Sequence, residues 1–192
     1  LHFRTKRLIL LVFFSCLLQS NLNFIEDVKL MSRRDKTNYY LDIAEAALSR
    51  GTCLRRNYGA IIVNHDEVVS TGYVGAPRGR KNCCDLGECV REKLNVPRGT
   101  RYELCRSVHA EANAIIAASR KETLGATLYL VGKEAKSGEY VSGAEPCSMC
   151  KRMIINAGIE KVVVRDTHDE YRVLLVQDWV DNDDSLEGKE GY

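Results

Sequence analysis

The chain has 192 residues, enough for one domain with a substantial hydrophobic core. Apolar residues make up 45% and charged residues 28% of it, as in ordinary soluble proteins. The net charge of +2 is too small to indicate a nucleic-acid groove or an anionic membrane surface, so we expect neither as a partner. Eight cysteines would suggest disulfides in a secreted protein, but in a cytosolic enzyme they indicate metal binding.

The N-terminal 30 residues look like a signal peptide, because a basic start precedes a short apolar run over residues 8–18. That run is too short to span a bilayer as a helix. The chain begins with Leu1, whereas Met31 is followed at once by a polar start and a helical pattern. We therefore expect Met31 to be the natural start and residues 1–30 to be over-extended translation, with an export signal as the alternative.

A helix and a hairpin are predicted next. Apolar side chains recur at helical spacing over residues 38–50, and Gly51 provides a stop. Strands over residues 59–63 and 68–73, joined by a turn at 64–66, form the predicted hairpin. Its first strand is apolar throughout and is expected to be buried on both faces.

Residues 75–104 form a segment in which glycines, prolines and dense charge break any periodicity. A loop this long inside a compact domain should be functional or held by a specific interaction.

The rest of the chain alternates helices and strands. Its predicted elements are a helix over 107–120, a strand over 126–131, an irregular segment over 132–144, a helix over 148–156, strands over 161–164 and 171–176, and a helical turn over 177–181. With the first helix and the hairpin, this order predicts an α/β fold, in which helices lie on the faces of a mixed sheet. The acidic tail from Asn182 onward is predicted to be exposed to solvent.

Two short motifs at predicted helix starts carry metal-binding chemistry. His109 and Glu111 stand in the first motif, and Cys147 and Cys150 follow Pro146 in the second. One His and two Cys supply three zinc ligands and leave the fourth tetrahedral position for water, the pattern of a catalytic site. Glu111 could take and return the proton of that water. The spacing His-x-Glu followed by Pro-Cys-x-x-Cys is the signature of zinc-dependent nucleobase deaminases.

Three other interpretations of these motifs stay open. His109 could be an ordinary helical histidine beside a structural Cys-x-x-Cys. A redox Cys-x-x-Cys is also possible, although it would need neither His109 nor Glu111. A zinc-stabilised binding module without catalysis would leave Glu111 idle.

The chain resembles the cytidine and deoxycytidylate deaminase superfamily, and within it the bacterial and phage-type deoxycytidylate (dCMP) deaminases. The matching stretches are residues 59–63, 72–77, 101–106, 109–111, 146–150 and 154–159. The resemblance implies a three-layer α/β/α cytidine-deaminase-like fold with a central mixed five-stranded sheet. It also implies hydrolytic deamination of dCMP to dUMP, in which zinc-bound hydroxide attacks C4 of cytosine, Glu111 carries the proton and ammonia leaves.

A tRNA adenosine deaminase shares the zinc motifs and is the alternative enzyme. The near-neutral charge over residues 31–192 and the Cys-rich insert speak against it.

Substrate contacts are also implied by the resemblance. The backbone N–H near Ala110 is expected on the base carbonyl, and Arg120, at the family position after the zinc histidine, is expected on the phosphate. Tyr73, at the end of the hairpin, is a further expected substrate contact. Arg78 and Arg80, on or beside the loop that follows, are also available to the phosphate, because the planar guanidinium makes paired hydrogen bonds to it. Loop solubility is the alternative for these two arginines. Val74 stands where the family commonly has an asparagine that contacts the sugar, a departure that bears on nucleotide specificity. For Arg120 the alternative is a solvated charge at a helix C-terminus.

A second, structural zinc is predicted from four thiols outside the catalytic motif, which are Cys53, Cys83, Cys89 and Cys105. Four thiolates would form a closed tetrahedral site that holds the insert. Some phage relatives carry a second zinc that uses cysteines at the positions of Cys53 and Cys83, although their other two ligands differ. Cys84 is disfavoured, because adjacent residues seldom both reach one ion. The alternative is unligated thiols in a reducing compartment.

We therefore expect a single zinc-dependent deaminase domain over residues 31–185, with a Cys-rich insert over 75–105 and a tail over 186–192. The expected compartment is the cytoplasm, and the expected partner is a small-molecule nucleotide. A homo-oligomer is expected too, and relatives suggest regulation by dCTP and dTTP.

Overall fold

A computed structural model describes residues 33–97 and 99–182. The expectations for residues 1–30 and for the tail over 186–192 lie outside these described residues. From Lys36 onward, the described chain forms one compact unit. Within the described residues, no helix is long and apolar enough to cross a bilayer.

A mixed five-stranded sheet forms the centre of the molecule, as predicted. Its strands are β1 (Arg56–Asn64), β2 (Glu67–Tyr73), β3 (Thr127–Glu134), β4 (Lys161–Arg165) and β5 (Tyr171–Leu175). They lie in the order β2-β1-β3-β4-β5, with β3 and β4 parallel and the other neighbours antiparallel. The predicted hairpin is confirmed, and positive φ angles at His65 and Asp66 give its two-residue turn the backbone of a type I′ connection.

Helices cover both faces of the sheet. The helices of the described chain are α1 (Lys36–Leu48), α2 (Cys83–Leu86), α3 (Val90–Lys93), α4 (Ala110–Ala117), α5 (Arg120–Thr123), α6 (Ser148–Ala157) and α7 (Val176–Asp181), of which α2 and α3 belong to the insert. Leu41 and Ala44 of α1 pack with Ile61 on one face. Ala114 and Ile154, from α4 and α6, belong to the core on the other face, together with the side chains that alternate with Ile61 along β1. The α/β/α layering is therefore confirmed.

The predicted helix over residues 107–120 is divided in the structure. Val108 forms a two-way backbone bridge with Gly75, which keeps the chain extended until α4 begins at Ala110. At the other end, Ser119 and Glu122 form a capping box, in which the Glu122 carboxylate accepts from the Ser119 N–H at 2.7 Å. This cap starts the separate helix α5, so Arg120 is the first residue of α5 rather than the end of the catalytic helix.

The insert contains more regular structure than its sequence predicts. It includes α2, α3 and a 3-10 turn at Tyr102–Leu104. The buried Arg91 side chain donates from Nη2 to the carbonyl oxygens of Pro97 at 3.0 Å and Thr100 at 2.5 Å. These hydrogen bonds connect α3 to the segment that follows it and so stabilise the fold of the insert.

A buried ion-pair network fastens α1 to the sheet. The Arg165 side chain on β4 is 1% exposed, and it donates to Glu45 at 2.8 Å and Asp42 at 2.7 Å on α1. Burial acts to raise the pKa of Glu45, but hydrogen bonds from Lys133, Tyr140 and Arg165 lower it below the usual 4.5.

Replacing Arg165 with Met is expected to destabilise the zinc-loaded protein by about 3 kcal/mol at neutral pH. Removing one partner of a buried pair typically costs about 3–5 kcal/mol, and the lower end applies because both carboxylates keep contact with solvent. The measurement is urea unfolding, with Lys136→Met, an exposed position, as the control.

The same prediction has a pH dependence. Glu45 has a lowered pKa in the folded state, so its contribution is present above pH 4.5 and is lost as the pH falls through the folded value. The difference between wild type and Arg165→Met should therefore shrink on acidification. A difference no larger than that of the Lys136 control would contradict the role of the network.

Candidate active site

The candidate metal ligands lie at the beginnings of two helices. His109 is the N-cap residue of α4, Cys147 is the N-cap residue of α6, and Cys150 is the third residue of α6. Extended backbone at His109 and Cys147, with ψ angles of 155° and 166°, turns the chain into each helix. The prediction that both motifs stand at helix starts is confirmed, although His109 precedes the first turn of α4 rather than lying in it.

The distances between the ligand atoms fit one tetrahedral zinc ion. The Sγ atoms of Cys147 and Cys150 lie 3.4 Å and 3.5 Å from Nδ1 of His109, and all three ligand atoms lie within 4.8 Å of one another. Zinc bonds of about 2.3 Å to sulfur and 2.05 Å to nitrogen at a tetrahedral angle give an S···N distance of roughly 3.6 Å. One imidazole and two thiols also form a donor set that zinc prefers.

The electrostatics of this group favour a thiolate. The hydrogen bond from Cys150, and then that from His109, lower the pKa of Cys147 to about 4 against the opposing effect of burial. The hydrogen bond to Cys147 and burial raise the pKa of Cys150. The N-termini of α4 and α6 add partial positive charge beside both thiols.

Glu111 lies beside the ligand group without belonging to it. It is the second residue of α4, its side chain is buried, and its carboxyl group interacts with His109 and Cys150. Burial raises the pKa of Glu111. A buried carboxyl group next to three metal ligands is placed to hold and transfer a proton.

Close packing against β2 fixes the position of α4. A Cβ atom on Gly72 would lie 2.2 Å from the carbonyl oxygen of Ala110 and 2.4 Å from the N atom of Ala114, so only glycine lets the helix approach this strand. Ser70 donates to the Ala114 carbonyl at 2.8 Å, and Asn113 donates to the Tyr73 carbonyl at 2.8 Å. The sheet therefore sets where His109 and Glu111 stand.

A cavity opens over the ligand group. Its lining includes His109, Glu111 and Cys147, together with Ala110 at the start of α4. Val74 also lines it, is buried, and lies beside Tyr58, whose carbonyl accepts from the Val74 N–H at 3.0 Å. Among the described residues, the structure thus brings together the predicted metal ligands, the predicted acid–base residue and Ala110.

Three predicted substrate contacts lie elsewhere. In the described part of the chain, the cavity lining does not include Tyr73, Arg78 or Arg120. Arg120 is exposed, and its guanidinium donates to the carbonyl of Asn156 near the end of α6. Arg78 is exposed on the loop that follows β2, and Tyr73 is partly exposed at the end of that strand. Their substrate roles stay predictions.

The four thiols of the predicted structural zinc site lie near one another. Burial raises the pKa of Cys83, and the charges of Cys53, Cys105 and Cys89 add to that effect. Their ligand atoms are nevertheless more widely spaced than those of the catalytic group. Over residues 33–97 and 99–182, His109, Cys147 and Cys150 are the one set of three such ligands whose atoms all lie within 4.8 Å of one another. The second zinc therefore stays a prediction.

That prediction is tested by elemental analysis. We expect two zinc ions per protomer in the fully loaded protein, and one after Cys89→Ser, because a four-thiolate site has no ligand to spare. Cys84→Ser is the matched control, since Cys84 is exposed and adjacent to the cluster. A single zinc in the wild type that Cys89→Ser leaves unchanged would rule out the structural site.

Seven residues of the cavity lining, within the described ranges, were not predicted from the sequence as site residues. They are Arg55, Arg56, Tyr58, Arg91, Gly99, Tyr102 and Glu145. Their sequence signals are an Arg-Arg pair shortly before the first predicted strand, a matched stretch that includes Tyr102, and the position of Glu145 directly before the Pro-Cys-x-x-Cys motif. None of these signals says which way a side chain points once the insert folds.

Comparison with known proteins agrees with this geometry. Residues 34–166 match the family described as the cytidine and deoxycytidylate deaminase zinc-binding region. The deoxycytidylate deaminase of Mycobacterium phage D29 is 39% identical over 138 residues, which cover 69% of this chain and 96% of the phage protein. The deoxycytidylate deaminases of Schizosaccharomyces pombe and Saccharomyces cerevisiae are 31% and 33% identical.

The matches to the two yeast proteins cover 73% and 68% of this chain but 40% and 38% of the yeast proteins. The family match contains both metal motifs and covers more than half of the chain. The chain therefore belongs to the family of the cytidine and deoxycytidylate deaminase zinc-binding region.

Proposed function

We propose that the protein hydrolyses dCMP to dUMP and ammonia, a step in pyrimidine nucleotide metabolism. The observation that carries this proposal is the convergence of His109, Cys147 and Cys150 beside the buried carboxyl group of Glu111. A ligand set of this kind leaves one position for water, which suits hydrolysis. The choice of dCMP follows the phage D29 relative, which the match covers almost completely.

The chain's own groups account for the proton transfers. His109, Cys147 and Cys150 would hold zinc, which when bound lowers the pKa of water toward neutrality. Glu111 would take a proton from that water and deliver it to N3 of the cytosine ring. It would then take the second proton from the hydroxyl group that has added to C4 and deliver it to the amino group. The C4–N bond breaks as ammonia leaves, so that water and dCMP give dUMP and ammonia. The first N–H groups of α4 have no acceptor within the helix. The one at Ala110 would donate to the carbonyl oxygen of the cytosine ring.

The test is turnover by the purified, zinc-loaded protein with dCMP, deoxycytidine, dCTP and tRNA as separate substrates. We expect ammonia and dUMP from dCMP at the highest kcat/KM. Deamination of tRNA adenosine without dCMP turnover would identify the alternative enzyme. A zinc-loaded protein that turns over none of these substrates would instead support a binding module.

We also propose a cytoplasmic, homo-oligomeric enzyme with regulation by dCTP and dTTP. The cytoplasm is supported by the thiols, since all seven cysteines in the described ranges are free, as expected under reducing conditions. Light scattering on a sizing column tests the oligomer, and a monomer at assay concentration would contradict it. Unchanged dCMP turnover with added dCTP or dTTP would contradict the regulation.

A further inference from the structure

Tyr102 lines the cavity and contacts a metal ligand without being one. Its ring meets the ring of His109 edge to face, with an interplanar angle of 88° and 5.0 Å between the ring centroids. We infer that Tyr102 is a positioning residue, which holds the His109 imidazole in the orientation that binds the metal. The inference rests on the proposed function only for the metal-binding role of His109 and does not depend on the choice of substrate.

The main chain of His109 is fixed by hydrogen bonds on both sides. Directly before it, the N–H and carbonyl of Val108 pair with Gly75 at 2.8 Å and 3.2 Å. The His109 carbonyl itself accepts from the Asn113 N–H at 3.0 Å, in the first turn of α4. These bonds leave the side-chain torsions of His109 free, and χ2 of a histidine has no sharply defined rotamers. The orientation of the imidazole must therefore come from the groups around it.

His109 lacks the hydrogen bond that usually orients a metal-bound histidine. Such a ring normally donates its second N–H to a carboxylate or a carbonyl oxygen. Nδ1 of His109 faces the Sγ atoms of Cys147 and Cys150 at 3.4 Å and 3.5 Å, so Nε2 is the nitrogen left for that bond. No hydrogen bond from Nε2 to another described residue is present. The edge-to-face contact with Tyr102 is the ring contact that remains to orient the imidazole in the described chain.

Tyr102 is itself held in place. The Arg91 guanidinium lies over its ring, 4.6 Å from the centroid, in a cation–π contact. Arg91 is 6% exposed and donates to two main-chain carbonyl oxygens of the insert, so its position is fixed as well. Tyr102 also begins the 3-10 turn, and its carbonyl accepts from the Cys105 N–H at 2.9 Å. A ring restrained by both its main chain and a neighbouring cation has little freedom to leave His109.

These contacts connect the insert to metal binding. Arg91 comes from α3 and Tyr102 from the 3-10 turn, both within the insert, whereas His109 caps α4. A ligand that is already oriented loses less conformational freedom when it binds, which increases affinity. The folded insert is therefore expected to raise the affinity of the catalytic site for zinc.

The first test measures zinc affinity by competition with a chelator. Tyr102→Leu removes the ring but keeps an apolar side chain, and it should raise the Kd of one zinc ion by about 10- to 100-fold, the usual cost of losing a group that orients a metal ligand. That ion is the one which Cys147→Ser lacks, so it is distinguished from the predicted structural zinc. Tyr102→Phe keeps the ring and should retain the wild-type Kd.

A matched control makes the same change at another tyrosine. Tyr171 is 39% exposed on the edge strand β5, and Tyr171→Leu should leave the zinc Kd unchanged. Tyr102→Met provides a second variant without the ring, in case Tyr102→Leu does not fold. Far-UV circular dichroism of the zinc-loaded proteins shows which variants are folded.

The second test reports the arrangement of the ligands. Cobalt(II) can replace zinc in a tetrahedral site, and its visible absorption bands depend on the positions of the ligand atoms. The spectrum of the catalytic ion is the difference between each loaded protein and Cys147→Ser. Its bands should shift in Tyr102→Leu and should match the wild type in Tyr102→Phe and Tyr171→Leu.

The outcomes distinguish a positioning role from other roles of Tyr102. A zinc Kd for Tyr102→Leu equal to that of Tyr171→Leu would overturn the inference, and so would an equal loss in Tyr102→Phe, because the hydroxyl group would then be responsible. A raised KM for dCMP with an unchanged zinc Kd would overturn it too and would make Tyr102 a substrate contact. Ring-dependent zinc affinity in a protein that does not deaminate dCMP would support the inference while the proposed reaction fails.

Discussion

Glu111→Gln is expected to keep the fold and the zinc while lowering kcat for dCMP by roughly 10²–10⁴-fold, the usual contribution of a general acid–base group. The amide has nearly the shape of the carboxyl group, so the packing at the start of α4 should survive. It cannot accept the proton of water and return it to the leaving amine. The measurements are kcat, zinc per protomer and the melting temperature of the loaded protein.

The control for this substitution is Glu67→Gln, an exposed carboxylate at the start of β2. It removes one negative charge without touching the cavity, so kcat should not change. If Glu111→Gln retains substantial turnover with full zinc, the carboxyl group does not move the proton, and another group must be sought.

Cys147→Ser and His109→Ala are expected to abolish metal binding, and not only catalysis. A site with three protein ligands has none to spare, and each of these residues supplies one from a different helix. Elemental analysis should show one zinc fewer per protomer than in the wild type, and dCMP turnover should fall to background.

Cys84→Ser serves as the control here too, because it removes an exposed thiol outside the ligand group. Far-UV circular dichroism separates metal loss from unfolding. Wild-type zinc content in a folded Cys147→Ser or His109→Ala variant would contradict the ligand assignment.

Periodic patterns predicted most of the fold. The first helix, the hairpin and all five strands follow from the alternation or helical recurrence of apolar residues, and their observed bounds differ by a few residues. The metal group was equally predictable, since a cysteine pair three residues apart and a histidine before a helix carry their chemistry in the sequence. The local sequence was therefore sufficient for each feature that a single helix, strand or short motif defines.

One local signal was overlooked, and features that depend on contacts between distant segments were not predictable. The end of α4 is set by a capping box at Ser119, whose Ser-x-x-Glu pattern is present in the sequence. This break places Arg120 outside the cavity lining. The arginines that do line the cavity depend on how the insert folds against β1, and no periodicity within residues 75–104 encodes that packing.

The metal ligands at the N-termini of α4 and α6 also affect the conformational entropy of the chain. His109 and Cys147 stand 38 positions apart, so a metal that joins them closes a loop that contains α4, α5 and β3. Closing such a loop in advance removes conformational entropy from the unfolded chain, and the gain depends only weakly on loop length. The metal would therefore act as a reversible cross-link as well as a catalytic group, and folding and metal loading would be thermodynamically linked.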